Sequence, residues 1–163
     1  MTDFQERLSR AAERGRQSRD NTERAKREKA MTEEEFKRMH QPFRLELGEH
    51  IESCVAQLTD QFPGFRYETV VGDRGWGAAC SRDDVGVGSD GKRSSFYSRL
   101  EMAVRPIASY NVLEMSAKGT IRNREVFDRT HFQKLVEVDL DSFRELVDLW
   151  VLEYAELYAA RQR

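Results

Sequence analysis

The sequence is poor in cysteine and in long apolar runs, and each shortage excludes a class of protein. Two cysteines among 163 residues are too few for a disulfide framework, so we expect reduced thiols. No window approaches the ~18 consecutive apolar residues of a membrane-spanning helix, so no contact with a membrane is expected. The N-terminal residues also lack the apolar stretch of a signal peptide. Together these absences predict a cytoplasmic protein.

Net charge is also nearly absent, because 27 lysines and arginines are balanced by 29 aspartates and glutamates. This balance gives no general attraction to nucleic acid and argues against a nucleic-acid partner. The distribution is uneven, since residues 1–30 carry nine basic and six acidic side chains but only three large apolar ones. Such a segment favours helix but has no apolar face to pack. We therefore predict a polar helical or partly disordered arm at 1–41 and a single domain at 42–163.

The spacing of apolar residues predicts two long helices with strands between them. Thr32 and Glu35 form a capping signature for a helix start, and Pro42 is expected to interrupt or kink that helix. Apolar side chains at intervals of three or four mark helices over 43–62 and 141–160. Between these helices apolar residues alternate with polar ones, which is typical of strands. The predicted strands cover 65–71, 76–80, 95–105, 110–117 and 120–127.

The order of these elements predicts an α+β fold. No helix lies between the strands, so the sheet cannot be built from parallel βαβ units. We expect two layers, an antiparallel β-meander of four to five strands packed against N- and C-terminal helices. The last hairpin is predicted to turn near Lys118 and Gly119, because glycine readily adopts a left-handed backbone conformation. A three-residue loop there would place Glu114 opposite Arg124.

A glycine-rich stretch at 86–92, GVGSDGK, matches parts of two nucleotide-binding patterns. A phosphate-binding loop needs a following helix and a serine or threonine directly after its lysine. In this chain Lys92 is followed by Arg93 and then by a predicted strand, so neither requirement is met. Serine, aspartate and glycine instead favour a tight turn. We predict a hairpin turn, with a weak anion contact at Lys92 and Arg93 as the alternative.

The sequence contains no arrangement typical of catalysis or of metal binding. His50 and Cys54 are four residues apart and would share one side of a helix, but no further donor lies near them in the sequence. Cys54 is expected to pack as a small apolar side chain, and Cys80 to face the core. No histidine lies in a recognisable nucleophile motif. We therefore predict no catalytic residue, no metal ligand and no cofactor, and we expect binding rather than enzymatic activity.

Two groups of side chains are candidates for binding. Leu149 and Leu152 fall outside the apolar face of the last helix, so they would be exposed in a monomer and could dock another helix. Arginines on the predicted strands would form a basic sheet face able to hold an anion or RNA if they share one side. A solvated face with cross-strand ion pairs is the simpler interpretation. These arginines are Arg99, Arg105, Arg122 and Arg124.

Three functions follow from these patterns, in descending order of support. The first is a non-catalytic protein-interaction module, an adaptor or small chaperone-like protein, which binds a protein partner or itself as a homodimer. The second is a small ligand-binding protein or enzyme with a pocket between sheet and helices, lined by Trp76, Phe96 or Trp150. The third is RNA binding through the arm and the sheet arginines. A packed core with an exposed apolar helix face would favour the first function.

Overall fold

The computed structural model describes residues 2–161, which divide into two units. One unit ends at Phe36 and the other begins at Lys37. The first unit contains helix α1, Thr2–Ala30, and the first residues of helix α2, Glu33–Gln61. The Thr32 hydroxyl accepts a hydrogen bond from the Glu35 amide at 3.3 Å, which caps α2 as its sequence predicts. Within the described part of the chain, no helix is both long and apolar enough to cross a membrane.

The second unit is built on an antiparallel sheet of five strands that follow one another in sequence order. After β5 a short 3₁₀ helix, Leu135–Glu137, leads into helix α3, Leu140–Arg161. This order of helices and antiparallel strands confirms the predicted α+β fold. The strands are β1 Arg66–Val70, β2 Trp76–Val87, β3 Arg93–Val104, β4 Val112–Ile121 and β5 Arg124–Lys134.

The core of the second unit lies between one face of the sheet and helices α2 and α3. Apolar side chains from all three are removed from water, and the aromatic rings of Phe62 and Tyr158 meet edge to face at 4.9 Å. The Tyr154 hydroxyl donates a hydrogen bond to the Thr120 carbonyl at 2.8 Å, which satisfies its one buried polar atom. The fully buried side chains include Leu47, Ile51, Val55, Leu100, Met102, Leu113, Met115, Phe143 and Tyr154.

Several predicted boundaries are wrong. Pro42 lies inside α2, and the helix continues through it to Gln61. Strand β2 extends to Val87 and not only to residue 80, because its polar second half pairs with β3 as far as Arg93. Strand β5 likewise continues to Lys134. In these segments the strand ends where its hydrogen-bonded pairing with the neighbouring strand ends, and not where the alternation of apolar residues ends.

The predicted position of the last hairpin turn is also wrong. The turn is formed by Arg122 and Asn123, whose φ angles of 49° and 71° are left-handed. Glu114 consequently faces Phe132 and not Arg124, which pairs with Ile121. Asparagine tolerates this conformation, which is the usual one in two-residue hairpin loops.

Asn123 is also held in place by strand β3. Its side-chain oxygen accepts a hydrogen bond from the Tyr97 amide at 2.8 Å, and its amide group donates to the Ser95 carbonyl at 3.0 Å. The Asn123 backbone amide donates to the Tyr97 carbonyl at 2.8 Å. These bonds occupy β3 backbone groups that lie beyond its ladder with β4, which starts at Arg99. The turn therefore depends on a contact with a third strand, which a pattern within one hairpin does not reveal.

Gly119 lies inside β4, where it makes room for two aromatic rings. A Cβ atom at this position would lie 3.1 Å from ring carbons of both Phe127 and Tyr154. Both rings are buried, and Tyr154 is also fixed by its hydrogen bond to Thr120. The glycine is therefore needed for close packing of α3 on the sheet and not for a turn.

We predict that Gly119→Ala destabilises the fold by about 1 kcal/mol, because the added methyl group must displace buried rings that have little room to move. Urea unfolding followed by tryptophan fluorescence would measure the effect. Gly48→Ala is the matched control, since the nearest atom to its added Cβ is 3.9 Å away and alanine favours helix. Equal stabilities of the two variants would contradict the packing role of Gly119.

Candidate functional site

Three side chains with reactive or metal-binding groups meet between α2 and α3. His50 and Cys54 lie one turn apart on α2, and Asp148 approaches them from α3. His50 Nε2 is 2.8 Å from Asp148 Oδ1, and the Cys54 thiol donates a hydrogen bond to the same oxygen at 3.4 Å. Cys54 Sγ is 3.6 Å from His50 Nε2, so the three atoms form a compact triangle.

The two helices run in the same direction past this triangle. Arg144 binds Glu46 at 3.1 Å, and Asp148 binds His50 at 2.8 Å. From the first contact to the second, the residue number rises by four on α2 and by four on α3, so the two helices are parallel. Arg144 is itself fixed by Asp141 at 3.0 Å. These ion pairs are exposed and contribute little to stability, so the buried residues beneath them set the alignment of the helices. The alignment determines which side chains face each other.

A cleft of about 450 Å³ opens beside the triangle. We call it the α2–α3 cleft. One side is polar, with the triangle itself and neighbouring amide and hydroxyl groups, and the other side is apolar. Its lining residues are His50, Ser53, Cys54, Gln57, Leu58, Gln61, Asp148, Val151, Leu152 and Ala155.

The triangle does not have the geometry of a cysteine–histidine–aspartate triad. A triad histidine uses one ring nitrogen for the nucleophile and the other for the carboxylate. In this structure the same atom, Nε2 of His50, lies nearest to both Cys54 and Asp148. Partial burial and the neighbouring Asp148 carboxylate also raise the pKa of the Cys54 thiol to about 11. At neutral pH the thiol therefore keeps its proton and is a poor nucleophile.

The donor atoms of the triangle are a nitrogen, a sulfur and an oxygen, which are the donor types of transition-metal sites. From the sequence we found only His50 and Cys54 and expected no metal ligand. The third donor, Asp148, is 94 residues from Cys54 along the chain. No local motif connects residues so far apart. Only the pairing of α2 with α3 brings them together.

The glycine-rich stretch forms the turn between β2 and β3, as predicted. The Gly88 amide donates to the Lys92 carbonyl at 2.8 Å, and the Gly91 amide to the Gly88 carbonyl at 3.0 Å. The Asp90 carboxylate accepts a hydrogen bond from the Lys92 amide at 3.0 Å. These amides are therefore used within the turn and are not directed at a phosphate. Lys92 and Arg93 are both exposed at the tip of the hairpin.

The arginines that would form a basic sheet face if they shared one side are separated by the fold. Arg99 is bound to Glu68 at 2.6 Å and to Glu101 at 2.9 Å, on the face that points away from the helices. Arg105 donates to the backbone carbonyl of Arg74 at 3.0 Å. The sheet face near Arg99 thus carries cross-strand ion pairs and not a cluster of unpaired cations.

Arg122 and Arg124 lie elsewhere, at the end of the sheet. Together with Arg161 of α3 they line an open cavity of about 800 Å³ beside the β2–β3 turn. The Arg122 guanidinium lies 4.2 Å from the ring centre of Phe96, a cation–π contact. The predicted anion contacts are therefore split among the hairpin tip, the outer sheet face and this cavity.

Leu149 and Leu152 are 54% and 64% exposed, as the spacing of α3 predicts. They lie among the acidic side chains Glu145 and Glu156, which are also exposed. We call this surface the outward face of α3. Leu152 also lines the α2–α3 cleft, so the outward face and the cleft form one continuous surface.

Comparison with known proteins found no family model, no curated protein and no solved structure that matches this chain.

We predict that native Cys54 reacts with iodoacetamide at least ~10-fold more slowly than in urea, since its raised pKa leaves little thiolate near neutral pH. The rate should rise with pH toward 11, and mass spectrometry of chelator-treated protein would measure it. Asp148→Asn should accelerate the reaction, because it removes the charge that opposes the thiolate. Cys80, which is fully buried, serves as the internal control. Equal rates for Cys54 in folded and unfolded protein would contradict the raised pKa.

Proposed function

We propose that the protein is a non-catalytic interaction module, an adaptor or small chaperone-like protein, that binds a helix of a partner protein along α3. The observation that carries this proposal is the exposure of Leu149 and Leu152 above a packed core. Exposed leucines are common on protein surfaces. Leu149 and Leu152 differ from isolated exposed leucines, because Leu152 lines the edge of a cleft with space for an apolar side chain.

The shape of the surface suits a helical partner. Helices that bind in grooves place apolar anchors at intervals of three or four residues. On α3, Leu149 and Leu152 are three residues apart, and Leu58 and Val151 form apolar lining within the cleft. One anchor would insert into the cleft while the next packs against Leu149.

The charge of the outward face indicates which kind of helix it binds. Glu145, Asp148 and Glu156 are exposed on α3 around the two leucines. A partner helix with basic residues beside its apolar anchors would complement this surface. A homodimer, as predicted from the sequence, would place the acidic outward face of one α3 against the same face of the other if no other surface took part. Charge therefore favours a different protein as partner, and the homodimer stays a prediction.

Small-ligand binding in the α2–α3 cleft is the second candidate. Its volume of about 450 Å³ is within the range of ligand pockets, and three titratable groups converge at one side. The position differs from the predicted pocket between sheet and helices, since Trp76 and Phe96 lie at opposite ends of the β2–β3 hairpin. RNA binding has less support, because Arg99 is paired with carboxylates. Both cysteines are unpaired, which supports a cytoplasmic location.

A peptide-binding experiment tests the proposal. A labelled amphipathic peptide with leucines at i and i+4 among lysines should bind the wild-type protein in fluorescence anisotropy. The same peptide with glutamates for lysines should bind at least ~10-fold more weakly, because like charges would meet. Leu149→Glu with Leu152→Glu should abolish binding of the lysine peptide, although it makes the surface more acidic. Pure electrostatic attraction predicts the opposite change, so the double variant separates the two causes.

Val71→Glu with Val85→Glu is the matched control, because these valines are 71% and 64% exposed and lie outside α3. This variant adds the same charge and should bind the lysine peptide as the wild type does. Light scattering over a range of concentrations gives the oligomeric state in parallel. A dimer that the leucine variant dissociates would overturn the heterotypic partner in favour of self-association. Equal binding by all variants would exclude the outward face of α3.

A further inference from the structure

We propose that His50, Cys54 and Asp148 form a binding site for a single Zn²⁺ ion. This inference goes beyond partner binding, since the outward face of α3 needs no metal to dock a helix. It rests on the arrangement of three donor atoms, all within 4.8 Å of one another.

The spacing of the donor atoms matches a tetrahedral zinc ion. Zinc bonds of ~2.3 Å to sulfur and ~2.0–2.1 Å to nitrogen and oxygen, at tetrahedral angles, separate the donor atoms by about 3.3–3.6 Å. The observed separations are 3.6 Å for Cys54–His50, 3.4 Å for Cys54–Asp148 and 2.8 Å for His50–Asp148. Only the last pair must open, by about half an ångström, to reach its tetrahedral distance. A rotation of the exposed Asp148 side chain is enough for this change.

The chemistry of the donors selects zinc over the alkaline-earth cations. Calcium and magnesium prefer oxygen ligands, whereas thiolate and imidazole are ligands of zinc and related transition metals. Binding would replace the thiol proton of Cys54, which leaves to solvent. The thiolate and the Asp148 carboxylate then balance the two charges of the ion. A neutral assembly is favourable at a half-buried position, where an unbalanced charge would be costly.

The site leaves one tetrahedral position open. Three protein ligands with a fourth place for water are typical of catalytic zinc, whereas structural zinc has four protein ligands. His50, Cys54 and Asp148 all line the α2–α3 cleft, so a water molecule or an anionic group can reach the ion from there. A ligand that binds the ion at the open position would do so through a carboxylate, an imidazole or a thiolate.

The helices hold the ligands in place before any ion binds. His50 and Cys54 are flanked on α2 by Ile51 and Val55, which are fully buried, and Asp148 on α3 follows the buried Val147. Ligands on packed helices lose little freedom when they bind, which favours affinity. Solvent access is also provided, because the Asp148 side chain is 52% exposed and that of His50 is 28% exposed. The simpler alternative is a hydrogen-bonded bridge between α2 and α3 that binds no metal.

Cobalt substitution distinguishes a metal site from a hydrogen-bonded bridge. Untagged, full-length protein freed of metal by chelator is titrated with Co²⁺ under reducing conditions. The proposal predicts one ion per chain, with thiolate-to-cobalt charge transfer in the near ultraviolet and the visible bands of tetrahedral cobalt. Zn²⁺ should displace the cobalt and remove these bands. Isothermal titration with Zn²⁺ alone gives the stoichiometry and affinity independently.

Variants of each ligand test the assignment. Cys54→Ser should abolish the charge-transfer band, and Asp148→Asn should weaken Zn²⁺ binding by more than the ~10–100-fold expected from losing an outer-shell partner. Glu49→Gln, which removes an exposed carboxylate next to His50, and Cys80→Ala are the matched controls and should bind as the wild type does. Circular dichroism confirms that each variant is folded. Leu149→Glu alone should keep full zinc affinity, because Leu149 is exposed and does not line the α2–α3 cleft, and this variant separates the zinc site from the helix-docking surface.

Two outcomes would overturn the zinc site. The first is an absence of charge transfer when the wild-type protein is mixed with stoichiometric Co²⁺. The second is equal metal affinity in the wild type, Cys54→Ser and Asp148→Asn, which would assign the metal to another place. In either case the triangle is a hydrogen-bonded contact between two helices.

Discussion

The packing of Tyr154 against β4 is the constraint on which the proposed docking surface and the proposed zinc site depend. Its ring lies against Gly119, and its hydroxyl is bound to the Thr120 carbonyl at 2.8 Å. This contact, with the burial of Phe143 and Val147, fixes the rotation of α3 about its axis. When one face of a helix is packed in place, the helix cannot rotate, and the direction of every other Cα–Cβ bond is set as well. Leu149 and Leu152 must then point to solvent.

The same rotation directs Asp148 toward α2. Because the two helices run in the same direction, Arg144 meets Glu46 and Asp148 meets His50 one turn later. The proposed zinc ligands and the proposed helix-docking surface therefore occupy neighbouring strips of α3. Each strip has its own chemistry, one with imidazole, thiol and carboxylate, the other with leucine and glutamate. A single packing contact thus orients two adjoining surfaces, which meet where Leu152 lines the α2–α3 cleft.

Short polar segments of the sheet serve packing and geometry. The glycine-rich stretch at 86–92 closes a hairpin through hydrogen bonds between its own amides and carbonyls. Gly119 gives space to aromatic rings, and Asn123 ties the β4–β5 turn to β3. Arg99 is held by two carboxylates on the outer face of the sheet. Neutralised arginines of this kind stabilise the sheet surface and leave little charge for an external anion.

By itself the sequence determined the α+β class, the two amphipathic helices, the β2–β3 turn and the exposure of Leu149 and Leu152. These features depend on residues near one another in the chain, where the period of apolar side chains and the chemistry of turns suffice. Tertiary structure alone decided the turn at Arg122 and Asn123, the separation of the arginines and the meeting of Asp148 with His50 and Cys54. Each requires the register or pairing of elements distant in sequence, and many pairings are compatible with the same local pattern. In the observed pairing the ring of Tyr154 on α3 and the ring of Phe127 on β5 are both buried against Gly119, and burial of this kind favours one register over the others.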